Sequence, residues 1–302
     1  MQSSFHDRAT QKSAQTASVI GASGFIGAAM TQTLVTAGRR TATFTRERPF
    51  ADGSGALDPA LLHSDVVFWL ASSIRPATAT AHPDAASADM RAFEVLLDGL
   101  HSQRANLPRV ICVSSGGTVY DSECPPPHHE TTPTRSANSY GEAMLSIEEL
   151  LRKHCPDHVV IRASNVYGPG QLPRRGQGVI AHWMKAIVDG VPIHFIGDPA
   201  TRRDYIFITD LVDALVRCTD ASAPPQLVNI GSGTGTSLEG LLTLIEQAAG
   251  RTLMVRRSPA RDFDAPSTWL DVTCARETLG WTPTISLPVG LAKTLEAVCV
   301  QR

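Results

Sequence analysis

Three glycines at spacing three, Gly21, Gly24 and Gly27, stand between a short apolar run and a longer amphipathic stretch. Residues 18–20 read as a strand and residues 25–37 as the helix that follows it. Gly21 permits the tight turn, Gly24 lets backbone approach a pyrophosphate, and Gly27 lets the helix pack closely on the strand. Ser23, Phe25 and Ile26 fill the rest of the loop. The helix that opens there offers unpaired N–H groups and the positive end of its dipole to phosphates. In isolation the same glycines could mark an ordinary turn. Between a strand and a helix, inside a chain that alternates the two, they predict a dinucleotide site.

That alternation runs along most of the sequence. Further strand candidates are residues 41–45, 66–70, 110–114, 159–162 and 227–230, and helix candidates are 85–103, 138–154, 179–189, 209–220 and 238–249. The pattern predicts an α/β fold, a Rossmann-type doubly wound parallel sheet. The connection 46–65 is rich in Gly, Asp and Pro and leaves room for little or no helix. After Val166 the pattern turns irregular, with short strands at 193–196 and 205–208, which predicts a smaller C-terminal substrate-binding lobe. The expected organisation is a loose tail over 1–17, a dinucleotide-binding domain over 18–165, and a lobe over 166–302 from which 209–249 returns to the sheet.

Composition narrows the partners. A chain of 302 residues, 42% hydrophobic and 19% charged, can bury a sizeable core. Its 27 Lys and Arg against 29 Asp and Glu give a net charge of −2, which argues against nucleic acid as a partner. The longest apolar run, residues 66–71, falls far short of the roughly 18 residues a membrane span needs. Residues 1–17 are polar and lack the apolar centre of a secretory signal, so a soluble, cytoplasmic protein is expected. Six cysteines without a CxxC pair read as free thiols in a reducing compartment. His128-His129, and His154 with His158 around Pro156, lack metal-ligand spacing, so no metal is expected.

The end of the second strand bears on which dinucleotide is held. An acidic residue there would bind both ribose hydroxyls of NAD, whereas an Arg accommodates the extra phosphate of NADP. Here the segment runs Thr45-Arg46-Glu47-Arg48. A solvated basic turn would look the same, but Arg46 favours NADP over NAD.

Further motifs stand in order along the chain: Ser114-Ser115-Gly116-Gly117-Thr118-Val119-Tyr120, Ser139-Tyr140-Gly141, and Arg162-Ala163-Ser164-Asn165-Val166-Tyr167-Gly168-Pro169-Gly170. Arg203-Asp204-Tyr205-Ile206 and Leu279-Gly280-Trp281-Thr282-Pro283 follow. With the glycine loop, they resemble the extended short-chain dehydrogenase/reductase family, and within it the nucleotide-sugar epimerases and dehydratases of the UDP-glucose 4-epimerase type. The similarity spans residues 18–297. It implies a Rossmann domain holding NAD or NADP, a lobe that clamps a nucleoside-diphosphate sugar, and a homodimer. It also implies Asn165, Arg203, Arg261 and Asp264 on the sugar nucleotide, and Leu70, Ala71 and Ser72 along the nicotinamide side of the cofactor. The planar forks of Arg203 and Arg261 suit a diphosphate, although surface ion pairs would explain them too. Trp69 stands where the family usually carries a His, and its indole is expected to pack.

The family's chemistry, reversible hydride transfer at a sugar carbon, uses Tyr-x-x-x-Lys on a helix with a Ser or Thr upstream. Tyr140 is present as the acid/base candidate, but Met144 stands where the Lys would be. Met144, Ile147 and Leu151 continue one apolar stripe and read as core. The upstream Ser/Thr position falls on Gly116, so the hydroxyl must come from Thr118 or Ser115. A glycine at 116 leaves space for a water or a bulkier sugar substituent. Oxidation of a hydroxyl needs tyrosinate, whereas reduction of a ketone needs the neutral phenol that Tyr140 already is. Three readings follow: a nucleotide-sugar 4-epimerase, an NADPH-dependent 4-keto nucleotide-sugar reductase, or a sugar-nucleotide-binding protein of low turnover.

Overall fold

The computed structural model describes residues 15–74, 83–136, 138–173, 178–260 and 267–300. Six strands form one parallel sheet: β1 (Thr16–Ile20), β2 (Arg40–Phe44), β3 (Val66–Trp69), β4 (Arg109–Ser115), β5 (His158–Ala163) and, from much later in the chain, β10 (Leu227–Ile230). Their order across the sheet is β2-β1-β3-β4-β5-β10. Every residue of β3 and β5 is buried, the mark of a sheet covered on both faces. The connections leaving β1 and β3 run to opposite sides, so a crevice opens between the carboxyl ends of these neighbouring strands.

One face of the sheet is covered by α1 (Phe25–Thr36) and α6 (Ile208–Asp220), around a core that includes Met30, Phe68 and Leu211 and that runs on to α7 (Leu238–Ala249) and α9 (Leu287–Val300), which pack against one another. The other is covered by the single turn α2 (Pro59–Leu62), α3 (Pro83–Gln103) and α4 (Ser139–His154), around Phe44, Trp69, Phe93 and Ile147. Asn138 Oδ1 accepts from Gly141 N at 3.0 Å and caps α4, while Arg152, Lys153 and His154 face the negative end of its dipole. The lobe beyond β5 adds short strands: β6 (Asn165–Tyr167) with β9 (Tyr205–Phe207), β7 (Ile193–Ile196) with β12 (Val255–Ser258), and β8 (Arg202–Arg203) with β11 (Thr236–Ser237). Helices α5 (Val179–Asp189) and α8 (Thr273–Leu279) complete it.

Differences from the expected bounds are small and have local causes. β1 starts at Thr16, inside the segment expected to be tail, because Thr16 N and Oγ1 both donate to Asp65 Oδ2 at 2.8 Å. The connection 46–65 holds one helical turn, started by Asp58, whose Oδ1 accepts from Ala60 N, and by Pro59 at the first helical position.

Candidate active site

The glycine loop is hung from the end of β2: Gly21 N and Ala22 N both donate to Phe44 O, at 2.9 and 3.1 Å. Gly21 has φ of +89°, and a Cβ there would lie 2.7 Å from the backbone of Leu70 and Ala71. These two residues, placed by the Leu70 N to Ile20 O bond, are therefore the wall of the loop. A Cβ on Gly27 would overlap the Gly21 carbonyl, so helix α1 can approach only with glycine at that position. A Cβ on Gly24 would meet Gly21 O alone, at 3.1 Å, and otherwise open space. That gap, at the N-terminus of a helix with no side-chain cap and no acidic residue in its first turn, fits the pyrophosphate of a dinucleotide. Exposed Ser23 sits on the rim of the loop.

At the far end of the adjoining wall, Ser72 Oγ donates to Ile74 O at 3.1 Å and approaches Asp89 Oδ2 at 3.3 Å. Ser73 N donates to the same carboxylate at 2.6 Å, and Arg46 Nη2 donates to Ser73 Oγ at 3.1 Å. The end of β2, the end of β3 and helix α3 are thus tied together at the border of the cradle.

Tyr140 sits in the first turn of α4, and Ser115 is the last residue of β4. Enclosure of the phenol pushes its pKa up to about 12; Cys112 and Asp89 add to the rise, and the neighbouring Ser115 hydroxyl opposes it. Thr118 Oγ1 is buried and has no hydrogen-bond partner among the described residues. Of the two candidate hydroxyls, Ser115 is the one that bears on the phenol.

The space expected above Gly116 is occupied. A Cβ on that residue would come within 2.6 Å of Leu270 Cδ1 and 3.1 Å of Arg162 O. Leu270 from the C-terminal lobe fills the volume assigned above to a water or a sugar substituent, and that expectation is corrected. Met144 is buried in the same cluster as Ile147, Leu151 and Leu270, as its place in the apolar stripe requires. Trp69 packs edge-on to Phe93, with ring centroids 4.8 Å apart, and to Phe50 at 6.0 Å. Beneath this floor lies a buried ion pair, Arg162 Nη2 to Glu148 Oε2 at 2.7 Å, with Ser114 Oγ donating to Glu148 Oε1. It ties α4 to β4 and β5 and so fixes the helix that carries Tyr140.

On the lobe side, Asn165 is exposed and donates from Nδ2 to Asp204 O at 2.9 Å. Arg203 lies on β8, with Nη1 donating to Arg202 O at 2.9 Å. Arg261 and Asp264 lie outside the described residues. Sequence reasoning misses Asp89, Leu270 and the carboxylate of Asp204. Only Glu148 leaves a visible signal, a carboxylate inside the apolar stripe of α4, which needs a buried cation such as Arg162.

A profile of the NAD dependent epimerase/dehydratase family matches residues 17–231. The UDP-glucose 4-epimerase of Mycolicibacterium smegmatis is 36% identical over 198 residues, covering 64% of this chain and 63% of that protein. A dTDP-4-dehydro-6-deoxyglucose reductase of Escherichia coli is 32% identical over 194 residues, covering 63% of this chain and 61% of that protein. The chain thus aligns with less than two thirds of the length of either relative. The UDP-glucose 4-epimerase of Thermotoga maritima, solved with UDP-glucose, superimposes with a TM-score of 0.84 at 27% identity, over 95% of this chain and 99% of that one.

Proposed function

The chain belongs to the NAD dependent epimerase/dehydratase family, and on that premise we propose that it transfers hydride at a ring carbon of a nucleoside-diphosphate sugar, with Tyr140 as the proton carrier. The observation that carries this reading is the Tyr140–Ser115 hydroxyl pair, set beside a cradle shaped for a dinucleotide. The cofactor, when bound, supplies or takes up the hydride. The protein's own residues do the rest. The glycine loop and the first turn of α1 hold the pyrophosphate, and Arg46 with Ser73 borders the adenosine end. Ser115 donates to the Tyr140 oxygen, which leaves the phenol's own proton directed at the substrate oxygen. Asn165 and Arg203, with Arg261 and Asp264, are the residues offered to the sugar nucleotide.

The neutral phenol serves one direction better than the other. With a pKa of about 12, only about one Tyr140 in 10⁵ is ionised at neutral pH. Giving a proton to a carbonyl oxygen needs no ionisation, whereas taking one from a hydroxyl does. No lysine stands one turn on to lower the barrier. This supports reduction of a keto nucleotide sugar, the reaction class in the name of the E. coli relative. A 4-epimerase must run both directions, and the name of the M. smegmatis relative supports that second reading. The family resemblance also favours a homodimer.

Two assays separate the readings. NADPH oxidation in the presence of dTDP-4-dehydro-6-deoxyglucose tests the reductase, and proton NMR of UDP-glucose incubated with the protein and NAD tests the epimerase. In whichever assay turns over, Tyr140→Phe is expected to lose at least about a hundredfold in rate. Full activity in that variant would remove the phenol from the chemistry. Binding of both nucleotides with no turnover in either assay would leave the low-turnover binding protein.

A further inference from the structure

Leu270 reaches the floor of the site from the segment 267–271, which leads out of the C-terminal lobe. Its side chain is 1% exposed and shares a cluster with Val119, Tyr120 and Met144. The branched end lies against Gly116: a Cβ there would meet both Leu270 methyls, at 2.6 and 2.9 Å. A side chain at 116 therefore requires the Leu270 methyls to move out of the packed position they hold here.

The backbone around Leu270 is pinned on several sides. Leu270 N donates to Asp204 Oδ2 at 3.3 Å. His128 N donates to Trp269 O, and Asp271 N to His128 O, each at 2.9 Å. Thr268 N donates to Arg202 O at 3.1 Å, beside the bridge that pairs Thr268 with Arg203. Asp204 is itself 1% exposed, and its carboxylate also accepts from Ser232 N and Ser232 Oγ, both at 2.7 Å, and from Gly233 N at 3.2 Å. A carboxylate this deep needs such donors, and here they come from the end of β10 and from the Leu270 segment. The strand bearing Arg203 and the residue covering Gly116 are thereby parts of one rigid assembly.

We propose that Leu270 is a positioning residue for the Ser115–Tyr140 pair, seated by Asp204 in the socket that Gly116 leaves. The inference rests on the reading of that pair as the reacting hydroxyls. Leu270 fills the floor next to Ser115 and limits the water that reaches the half-buried pair, which favours the protonated phenol. The lobe that receives the sugar nucleotide sets the geometry of the proton carrier through this contact. Cys112 and Asp89 are the titratable groups that face Tyr140 from β4 and α3, and both act in the same direction as the enclosure. Removing Leu270 leaves them in place, which isolates its effect.

The test uses the whole protein without cofactor, with tyrosines carbon-13 labelled at Cζ and the Tyr140 resonance assigned through Tyr140→Phe. In the unmodified protein the resonance is expected to remain in its neutral form up to about pH 11. In Leu270→Ala, water enters beside Ser115 and the ionisation midpoint should fall by about one pH unit, while the enclosed Tyr205 does not move. Thermal melting supplies an independent arm. Gly116→Ser alone should lower the Tm by several degrees, and the same change in the Leu270→Ala background should cost little or nothing. An unmoved Tyr140 midpoint, or melting losses that simply add, would overturn the proposal. Should Leu270→Ala not fold, Leu270→Val opens a smaller void and gives the same two readouts. Neither readout needs turnover, so inactivity toward the assayed sugar nucleotides counts against the proposed function and not against the role of Leu270.

Discussion

The two ends of the crevice are built from different materials. The cradle end is made of backbone: Gly21 and Ala22 hang from Phe44 O, Gly21 abuts Leu70 and Ala71, and Gly27 abuts the Gly21 carbonyl. The floor end is made of side chains drawn from distant parts of the chain, with Tyr140 packed against a cluster that holds Trp69, Met144 and Leu270. A backbone site tolerates few residues and leaves a strict mark in the sequence. A side-chain site can exchange its members, provided the volume is filled and no charge is stranded. In this chain the first site is built on glycines and the second is filled with apolar groups.

The contrast breaks most sharply at Gly27. Gly27→Val would force α1 away from the Gly21 carbonyl, and about 3 kcal/mol or more of stability should be lost together with dinucleotide binding. Gly24→Val differs in kind, because most of the space around that Cβ is open. Its melting temperature should stay close to that of the parent while titration calorimetry shows no binding of NAD or NADP. Equal destabilisation by the two changes would mean that the loop has no distinct phosphate gap.

The floor breaks in another way. Met144 is 4% exposed among apolar neighbours, and the carboxylate one turn on, Glu148, is already engaged by Arg162 and Ser114, so Met144→Lys adds a second buried cation with no partner of its own. Denaturant melts should show a loss of about 3 kcal/mol. The loss should shrink as pH rises above the lysine's depressed pKa toward its ordinary value of about 10.4, since the folded state then holds the neutral amine. A variant of unchanged stability whose Tyr140 ionises more readily would show instead that the floor retains room for a cation.

The same difference governs which parts of the molecule are legible in its sequence. Helices over 179–189 and 238–249 and the strand over 227–230 coincide with α5, α7 and β10, because periodicity and terminal glycines fix them locally. Gly21, Gly24 and Gly27 can be assigned one by one, since each glycine answers a local steric demand. Leu270 cannot. A single leucine between Trp269 and Asp271 carries no period, and its partner Gly116 reads as empty space until the lobe is folded onto it. Asp204 is equally silent, because a carboxylate bound by backbone donors looks in sequence like any exposed acid.

The smallest expected effect tests the border of the cradle, where a side chain again takes over from backbone. Arg46 lies just past β2, and its Nη2 donates to Ser73 Oγ at 3.1 Å, so one edge of the guanidinium fork is already oriented by the end of β3. Ser73 is held in turn by Asp89 through its backbone N–H. A 2′-phosphate arriving there would meet a cation and a hydroxyl, whereas the carboxylate at the strand end, Glu47, is engaged by Thr45 Oγ1 at 3.0 Å. NADP should therefore bind more tightly than NAD by about tenfold, or about 1.4 kcal/mol. The margin is kept small by exposure of the pair to solvent and by the buried Asp89 carboxylate, which repels the phosphate from below. Arg46→Asp should reverse the order, and raising the salt concentration should narrow the preference in the parent. Calorimetry that found NAD the tighter ligand of the unmodified protein would make Arg46 a solvated turn residue and would strengthen the epimerase reading, because an epimerase returns its hydride and needs no reducing cofactor from outside.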